Sequence, residues 1–262
     1  MTIRQALAAS GLERREARLL LAEAAGMSPA RVIAFAEEIL SPESRARFDA
    51  FCARRRAGEP IAYILGRQEF YGLEFSIDPA VLIPRPETEL LVELALQKGF
   101  GSLVDLGTGC GAIAIAAKKH RPGARVVAVE ASAAALAVAR RNAASLEAGI
   151  DFRHGRWCEP LAGESFDLIA ANPPYVAAAD PHLLDLGFEP RGALVAGEDG
   201  LEAIRVIAQS APPHLLPGGW LLLEHGLGQD AQVRTLLEAA GLGEVASWPD
   251  LGGIPRVSGG KR

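Results

Sequence analysis

Cysteine is scarce in this 262-residue chain: Cys52, Cys110 and Cys158 stand far apart, odd in number and with no Cys-x-x-Cys spacing. That argues against a disulfide framework and a zinc site, so reduced cytosolic thiols and no metal are expected. No run approaches about eighteen apolar residues, so no transmembrane helix is expected. The opening "MTIRQALAAS" lacks the apolar stretch of a signal peptide. Positive charge is short where a nucleic-acid grip would need it. Residues 67–262 hold 17 Lys and Arg against 24 Asp and Glu, whereas residues 1–66 hold 10 against 8. A protein that grips a phosphate backbone shows a basic footprint, and the larger part of this chain does not. Nucleic acid is therefore disfavoured as the main substrate, a local basic patch aside.

What remains is ordinary globular composition, 49% hydrophobic and 23% charged, long enough for one medium domain plus a small one. The first sixty residues predict a small helical bundle. Thr2 with Gln5 fits a capping box, and Ser28-Pro29 and Ser41-Pro42 each fit an N-cap followed by proline. Leu19, Leu20, Ala24, Val32, Ile33, Phe35, Ile39, Phe48 and Phe51 recur at helical spacing. The "RRR" at 54–56 reads as a solvated helix face. Residues 61–83 alternate aromatic and β-branched side chains around Gly66 and Gly72, which predicts a β-hairpin. The expected organisation is a helical domain over 1–62, a hairpin linker over 63–83 and a larger domain over 84–262.

In the larger domain "PRPETELLVELALQKG" leads into a helix, and then strand and helix patterns alternate. "SLVDLG", "ARVVAVE", "DFRHG", "FDLIAAN" and "GWLLLEHG" read as strands, with helices expected near 111–120, 132–148, 200–215 and 228–240. Such alternation predicts an α/β fold, a parallel sheet covered on both faces whose ligands bind outside the carboxyl ends of the strands.

Two of those strand ends carry chemistry. "VDLGTGCGA" sets Asp105, Gly107, Gly109 and Gly111 between a strand and a helix, where glycine lets backbone approach a ligand closely. Dinucleotides and S-adenosylmethionine compete for such a loop. Asp105 would repel a pyrophosphate but suits an ammonium group, and the spacing is Gly-x-Gly-x-Gly, although Ala112 admits both patterns. Glu130, ending the second strand, can accept from the ribose diol that both ligands share. At the fourth strand end "ANPPY" offers the Asn172 side-chain oxygen and the Pro173 carbonyl, with no N–H on either proline. Two acceptors match a planar –NH2 group, and Tyr175 can lie against its flat face. Holding both N–H bonds favours a more tetrahedral nitrogen whose lone pair points at a methyl donor.

These residues are similar to a known family. "DLGTGCGA", "NPPY" and "LIPRPETELLVE" together resemble the protein-glutamine N5-methyltransferases, the HemK/PrmC group, and "FEP" at 188–190 and "GGWLLLEHG" at 218–226 extend the likeness over nearly the whole chain. "PRPETE" resembles the branch that modifies peptide-chain release factors, rather than the branch acting on a ribosomal protein. The resemblance implies a seven-stranded, Rossmann-like class I S-adenosylmethionine-dependent methyltransferase sheet with one antiparallel strand near its end. It also implies a small N-terminal helical bundle joined by a β-hairpin. The implied donor is S-adenosyl-L-methionine, leaving S-adenosyl-L-homocysteine, and the implied acceptor is the glutamine amide of the Gly-Gly-Gln motif of class I release factors, acted on by a cytoplasmic monomer. By position, Asp105, Leu106, Gly107, Thr108 and Gly109 would cradle the cofactor, Glu130 hold its ribose and Trp157 flank its adenine, with Asn172 beside it. Asn172, Pro173, Pro174 and Tyr175 would bind the glutamine amide, with Asn172, Pro173 and Tyr175 catalytic, and Arg85, Glu87 and Thr88 would shape the pocket mouth. Three departures stand out: Arg156 before Trp157 where the family often has an acid, Glu130 where aspartate is common, and Cys110 at a loop position often held by threonine. "LGGIPRVSGGKR" fits the family's last strand loosely. The competing readings are an adenine-N6 methyltransferase with the same Asn-Pro-Pro-Tyr chemistry and a non-catalytic nucleotide-binding adaptor.

Overall fold

A computed structural model describes residues 1–262, in two compact units, Met1–Arg67 and Gln68–Arg262.

The first unit is helical: α1 Ile3–Ala9, α2 Arg14–Ala25, α3 Pro29–Ala34, α4 Pro42–Arg56 and α5 Ile61–Leu65. The predicted caps form. Thr2 and Gln5 close a reciprocal capping box, with N–H to oxygen distances of 3.0 and 3.2 Å. Ser28 and Ser41 each accept from the N–H three residues on, and Pro29 and Pro42 follow them. Ile3, Leu20, Leu21, Val32, Phe48 and Cys52 form the core. Ile33, Phe35 and Ile39, counted among the apolar positions of the bundle, are exposed instead. The six-residue α3 turns only Val32 fully inward. The arginine run is not a free solvated face. Arg54 pairs with Glu59, Arg55 pairs with Glu16, and Arg56 donates to the Ser10 carbonyl at 2.9 Å.

The hairpin is shorter than the pattern over 61–83 predicts. Residues 61–65 coil into α5, which Gly66 ends in the left-handed region. Only β1 Arg67–Phe70 and β2 Leu73–Ser76 pair, across Tyr71 and Gly72, both at positive φ as a primed hairpin turn requires. Phe70 and Phe75 bury the hairpin's apolar side, edge to face with centroids 6.2 Å apart.

In the second unit α6 Glu89–Lys98 precedes a seven-stranded sheet of β3 Ser102–Leu106, β4 Arg125–Glu130, β5 Asp151–His154, β6 Phe166–Ala171, β7 Leu215–Glu224, β8 Gly243–Pro249 and β9 Pro255–Lys261. The connecting helices are α7 Ala112–His120, α8 Ala133–Ser145, α9 Glu202–Ser210 and α10 Asp230–Ala239. The strand order is β5-β4-β3-β6-β7-β9-β8. All neighbours are parallel except that β9 runs antiparallel to both β7 and β8. The central strands are buried on both faces, with Leu103, Val104, Val127, Val129, Ile169, Leu221 and Leu223 fully inaccessible, as a covered parallel sheet demands. No helix is long and apolar enough to cross a membrane.

The chain moves outward from β3 to β5 and then returns to lay β6 against β3. The order therefore reverses between β3 and β6, where ligands of open α/β sheets bind. Register sets the rest. Leu106 lies opposite both Val129 and Ala171, and Ala171 lies opposite Leu223. The next residue of each strand exit, Gly107, Glu130, Asn172 and Glu224, therefore falls in one row across the carboxyl edge.

Candidate active site

The glycine loop hangs from β4. The N–H groups of Gly107 and Thr108 both donate to the Val129 carbonyl, at 2.9 and 3.0 Å. Glu130 binds the loop from the side: Oε2 accepts from the Gly109 N–H and Oε1 from the Ser132 N–H, each at 2.9 Å. Each oxygen keeps a further lone pair. A cavity of about 640 Å³ opens above the row, within the range of small-molecule sites. Gly107, Thr108, Gly109, Glu130, Trp157, Asn172, Pro174 and Thr88 line it.

Several expected residues lie elsewhere. Asp105 and Leu106 are fully buried within β3, below the loop and not on the cavity wall. Asp105 Oδ2 accepts from the Thr108 hydroxyl at 2.5 Å and the Ala114 N–H at 3.3 Å, while Oδ1 has no partner. Burial, opposed by those bonds, pushes this carboxyl up to about 7. It holds the loop from beneath, and the ammonium contact expected of it is not laid out on the wall. Pro173 is buried behind the wall. Tyr175 turns away from the cavity: its carbonyl accepts from Gln229 Nε2 at 3.1 Å, and its ring lies against Gly226. Burial, reinforced by Glu224, drives its phenol far above the ordinary tyrosine value, so it stays protonated. Arg85 pairs with the buried Glu189, which also accepts from the Ile83 N–H at 3.0 Å. The pair ties "PRPET" to "FEP". Glu87 is exposed and off the wall.

Asn172 has a defined orientation. Its Nδ2 donates to Thr88 Oγ1 at 3.0 Å, which leaves Oδ1 as its free acceptor. No backbone N–H donates to the Pro173 carbonyl. Trp157, at φ 50, reaches over the loop so that a Cβ on Gly107 would sit 3.0 Å from its ring, and its indole Nε1 is buried with no partner. Arg156 stands exposed on the wall beside it. Cys110 is buried on the same loop, its thiol pushed up to about 12 by burial, which makes it inert.

Sequence reasoning missed Glu224. It is 1% exposed at the end of β7, in the neighbourhood of the hydroxyls of Thr88 and Tyr175, and its Oε2 has no partner. Burial first, then Glu87, raises it to about 7 against those hydroxyls and Arg256. The signal was present: "LLLEHG" is a buried strand ending on a charge beside the Asn-Pro-Pro-Tyr strand. Leu82 and Pro84, just before "RPET", also line the cavity.

Known proteins resemble the chain along its length. Residues 2–66 match the family model of the PrmC N-terminal domain, and residues 86–184 that of the methyltransferase small domain. A protein of Burkholderia pseudomallei named release factor glutamine methyltransferase is 52% identical over 273 residues, covering 99% of this chain and 96% of that one. Proteins of the same name from Xylella fastidiosa and Neisseria gonorrhoeae are 47% and 45% identical, covering 98% and 100% of this chain and 96% and 98% of theirs. Among solved structures, a methyltransferase from Pyrococcus furiosus superposes with a TM-score of 0.58 at 21% identity, over 80% of this chain and 96% of that one. The T. thermophilus 16S rRNA N2 G1207 methyltransferase, solved with AdoMet and guanosine, gives 0.56 at 23%, over 75% and 49%. Both share the fold.

Proposed function

The chain belongs to the release factor glutamine methyltransferase family, and we propose that the row of strand ends at β3, β4 and β6 is where it joins methyl donor to glutamine amide. It is an S-adenosylmethionine-dependent protein-(glutamine-N5) methyltransferase. Its acceptor is the glutamine of the Gly-Gly-Gln motif of class I peptide-chain release factors, and its action modulates translation termination. One observation carries the reading of the site: the β3–β6 register sets the Asn172 clamp directly beside Gly107 of the glycine loop.

The cavity fits the donor. Its volume suits a nucleoside with an aminoacyl arm, Glu130 keeps lone pairs for a ribose diol, and Trp157 offers an aromatic wall with an unpaired indole N–H. Gly107, Thr108, Gly109, Glu130 and Trp157 would hold it, with Asp105 and Leu106 supporting the loop from below. When bound, S-adenosyl-L-methionine supplies a methyl group on a positively charged sulfur. The protein's own part is to hold the acceptor. Asn172 Oδ1 and the Pro173 carbonyl would take the two N–H bonds of the glutamine amide, drawing its lone pair out of conjugation and aiming it. Positioning of this kind is worth roughly 7–11 kcal/mol in favourable cases, and acceptors aimed at developing N–H positive charge add to it. Tyr175, kept as a phenol, is no base. It packs against Gly226 and the core cluster of the sheet. Arg85 and Glu189 brace the mouth, with Thr88 orienting Asn172.

Residues 1–62 would recognise the release factor, with the hairpin region 63–83 as linker and 84–262 as the catalytic part. That reading draws on the separateness and modest positive charge of the helical unit. A cytoplasmic monomer with no nucleic-acid substrate completes the proposal. The three cysteines are free and buried and the catalytic part is acidic, and light scattering that reads more than one chain mass would refute the monomer. The decisive experiment mixes the protein with methyl-labelled S-adenosylmethionine and a release factor, either intact or with the Gly-Gly-Gln glutamine changed to alanine. Label is expected on the intact factor alone. Label on both, or on neither, would overturn the function.

A further inference from the structure

We infer that exposed leucines on neighbouring strand exits form an apolar rim on which the protein substrate docks beside the Asn172 clamp. The inference rests on reading that clamp as the seat of a release factor's glutamine amide. Exposed apolar side chains scattered singly are ordinary, whereas a concentration of them marks an interaction surface. Outside the helical unit, the large apolar side chains left exposed are Leu184, Phe188, Val206, Leu216, Leu227 and Leu251. Leu184, Phe188, Leu227 and Leu251 stand on segments that leave the carboxyl edge of the sheet. They include the most exposed of the set, Leu184 at 87%, Leu227 at 72% and Leu251 fully so, against 39% for Val206 and Leu216.

Their distribution along that edge is one-sided. Strands β6, β7, β9 and β8 are consecutive in the sheet. Leu184 and Phe188 lie on the segment that leaves β6 at Asn172 and returns to the cavity wall at Pro190. Leu227 lies at the β7 exit. Leu251 lies in the turn joining β8 to β9, which the pairing of Glu224 with Val257 places at the same end. The exits of β3, β4 and β5, which carry the glycine loop, Glu130 and Trp157, expose no large apolar side chain. The apolar residues therefore crowd the acceptor half of the edge and spare the donor half. A small molecule fills a cavity, but a protein that presents a glutamine to Asn172 covers about 800 Å² around it, a disc reaching about 16 Å from its centre. Neighbouring strands are about 4.8 Å apart, so β8 lies about 15 Å from β6 and within that footprint.

The leucines are held out by ordered turns. Asp250 Oδ1 accepts from the N–H groups of Gly252 and Ile254 at 2.8 and 3.0 Å, which fixes the turn that carries Leu251. Gln229 closes the β7 exit: Oε1 accepts from the Gly226 N–H at 2.8 Å, and Nε2 donates to the Tyr175 carbonyl at 3.1 Å, tying this exit to that of β6. The His225 N–H donates to the Arg256 carbonyl at 2.9 Å and ties it to β9. Asp180 Oδ1 accepts from the His182 N–H at 2.9 Å and caps the short turn that carries Leu184. A surface ordered in advance loses little freedom when it is covered. The occupant is the apolar surface that flanks the Gly-Gly-Gln loop of the release factor.

The test replaces Leu184, Leu227 and Leu251 by serine, singly and together. Leu216→Ser, at the other end of β7, and Val206→Ser, on α9, are the controls. Each enzyme is assayed for methyl transfer to an intact release factor and titrated with S-adenosylhomocysteine. Each rim serine is expected to raise KM for the factor about threefold and the triple variant about thirtyfold, with kcat and S-adenosylhomocysteine affinity unchanged and the controls at the wild-type KM. A triple variant whose KM stays within about twofold of wild type refutes the rim. So does a loss confined to kcat, or a control serine that matches a rim serine. A wild-type dimer in light scattering that the triple variant dissolves, with KM unmoved, gives the rim to a second copy of the chain and also refutes the proposal. Wild type that fails to methylate the glutamine of the intact factor would overturn the proposed function instead, a separate outcome.

Discussion

A single methyl group added at Gly107 tests the donor side of the site. Gly107 sits at φ +76, and a Cβ built there lies 3.0 Å from Trp157 Cζ3 and 3.7 Å from Cη2. An L-residue in this region costs roughly 1–2 kcal/mol. The loop cannot relax freely, because the Gly107 N–H is bound to the Val129 carbonyl at 2.9 Å. The ring cannot retreat freely either, since Trp157 packs against the core cluster under the sheet. Gly107→Ala is therefore expected to cost about 2 kcal/mol, or about 30-fold in S-adenosylhomocysteine affinity if the loop yields rather than the fold. Gly109→Ala is the control: φ is +58 but nothing lies within 4 Å of its Cβ, so it carries the backbone term alone. The assay is fluorescence titration in a Trp220→Phe, Trp248→Phe background, so that Trp157 alone reports, paired with urea unfolding of the same proteins. Equal effects of the two alanines would show that the contact with Trp157 does not matter. A Gly107→Ala protein as tight and stable as its parent would sink the account of the cradle.

Asn172→Ala removes one of two acceptors and is expected to lower kcat by about 10²–10³ while changing cofactor affinity far less; isothermal titration with S-adenosylhomocysteine beside single-turnover methyl transfer separates the two, and equal losses would remove Asn172 from the clamp. Asp105, raised from 3.8 to about 7, holds in the fold between about pH 4 and 7 a proton that the unfolded chain releases. Its contribution is therefore present at low pH and lost as pH rises through about 7. Relative to wild type, Asp105→Asn should gain about 2–3 kcal/mol between about pH 5 and 8, and a urea-unfolding difference that is flat with pH refutes the shift. Arg85→Ala strands the Glu189 carboxylate, whose side chain is 2% exposed, and should destabilise the protein by about 3 kcal/mol; a loss below about 1 kcal/mol would class the pair with surface ion pairs. Deleting residues 1–62 should raise KM for the release factor more than it weakens cofactor binding, and equal loss of both would make the helical unit purely structural.

The row of strand ends was legible because each member carries its signal locally: three glycines after "VDL", an acid after "VVAV", two prolines after "LIAAN". A chain read in one dimension cannot say which side of an exit faces the ligand. Asp105 stands inside the loop motif and reads as a ligand, yet it is paired between β4 and β6 and its side chain lies beneath the loop. Tyr175 reads as a lid for the amide, but the turn made by Pro173 and Pro174 sends it toward Glu224 and Gly226. Short apolar runs fail for another reason. "IAYIL" has too few residues for its period to choose between helix and strand, and Pro60 before it and the left-handed Gly66 after it make it helical. The last strand, "PRVSGGK", has poor strand propensity and is formed by its place between β7 and β8. A Cβ on Gly259 would lie 2.6 Å from the Leu221 carbonyl oxygen, so the glycine that weakens the local signal is what lets the strand fit. Glu224 belongs to the same class of hidden information. Its charge ends a buried strand, as Glu130's does, but Asn172 lies 52 positions away in the numbering, and only the β6–β7 register, with Ala171 opposite Leu223, sets the two strand exits side by side.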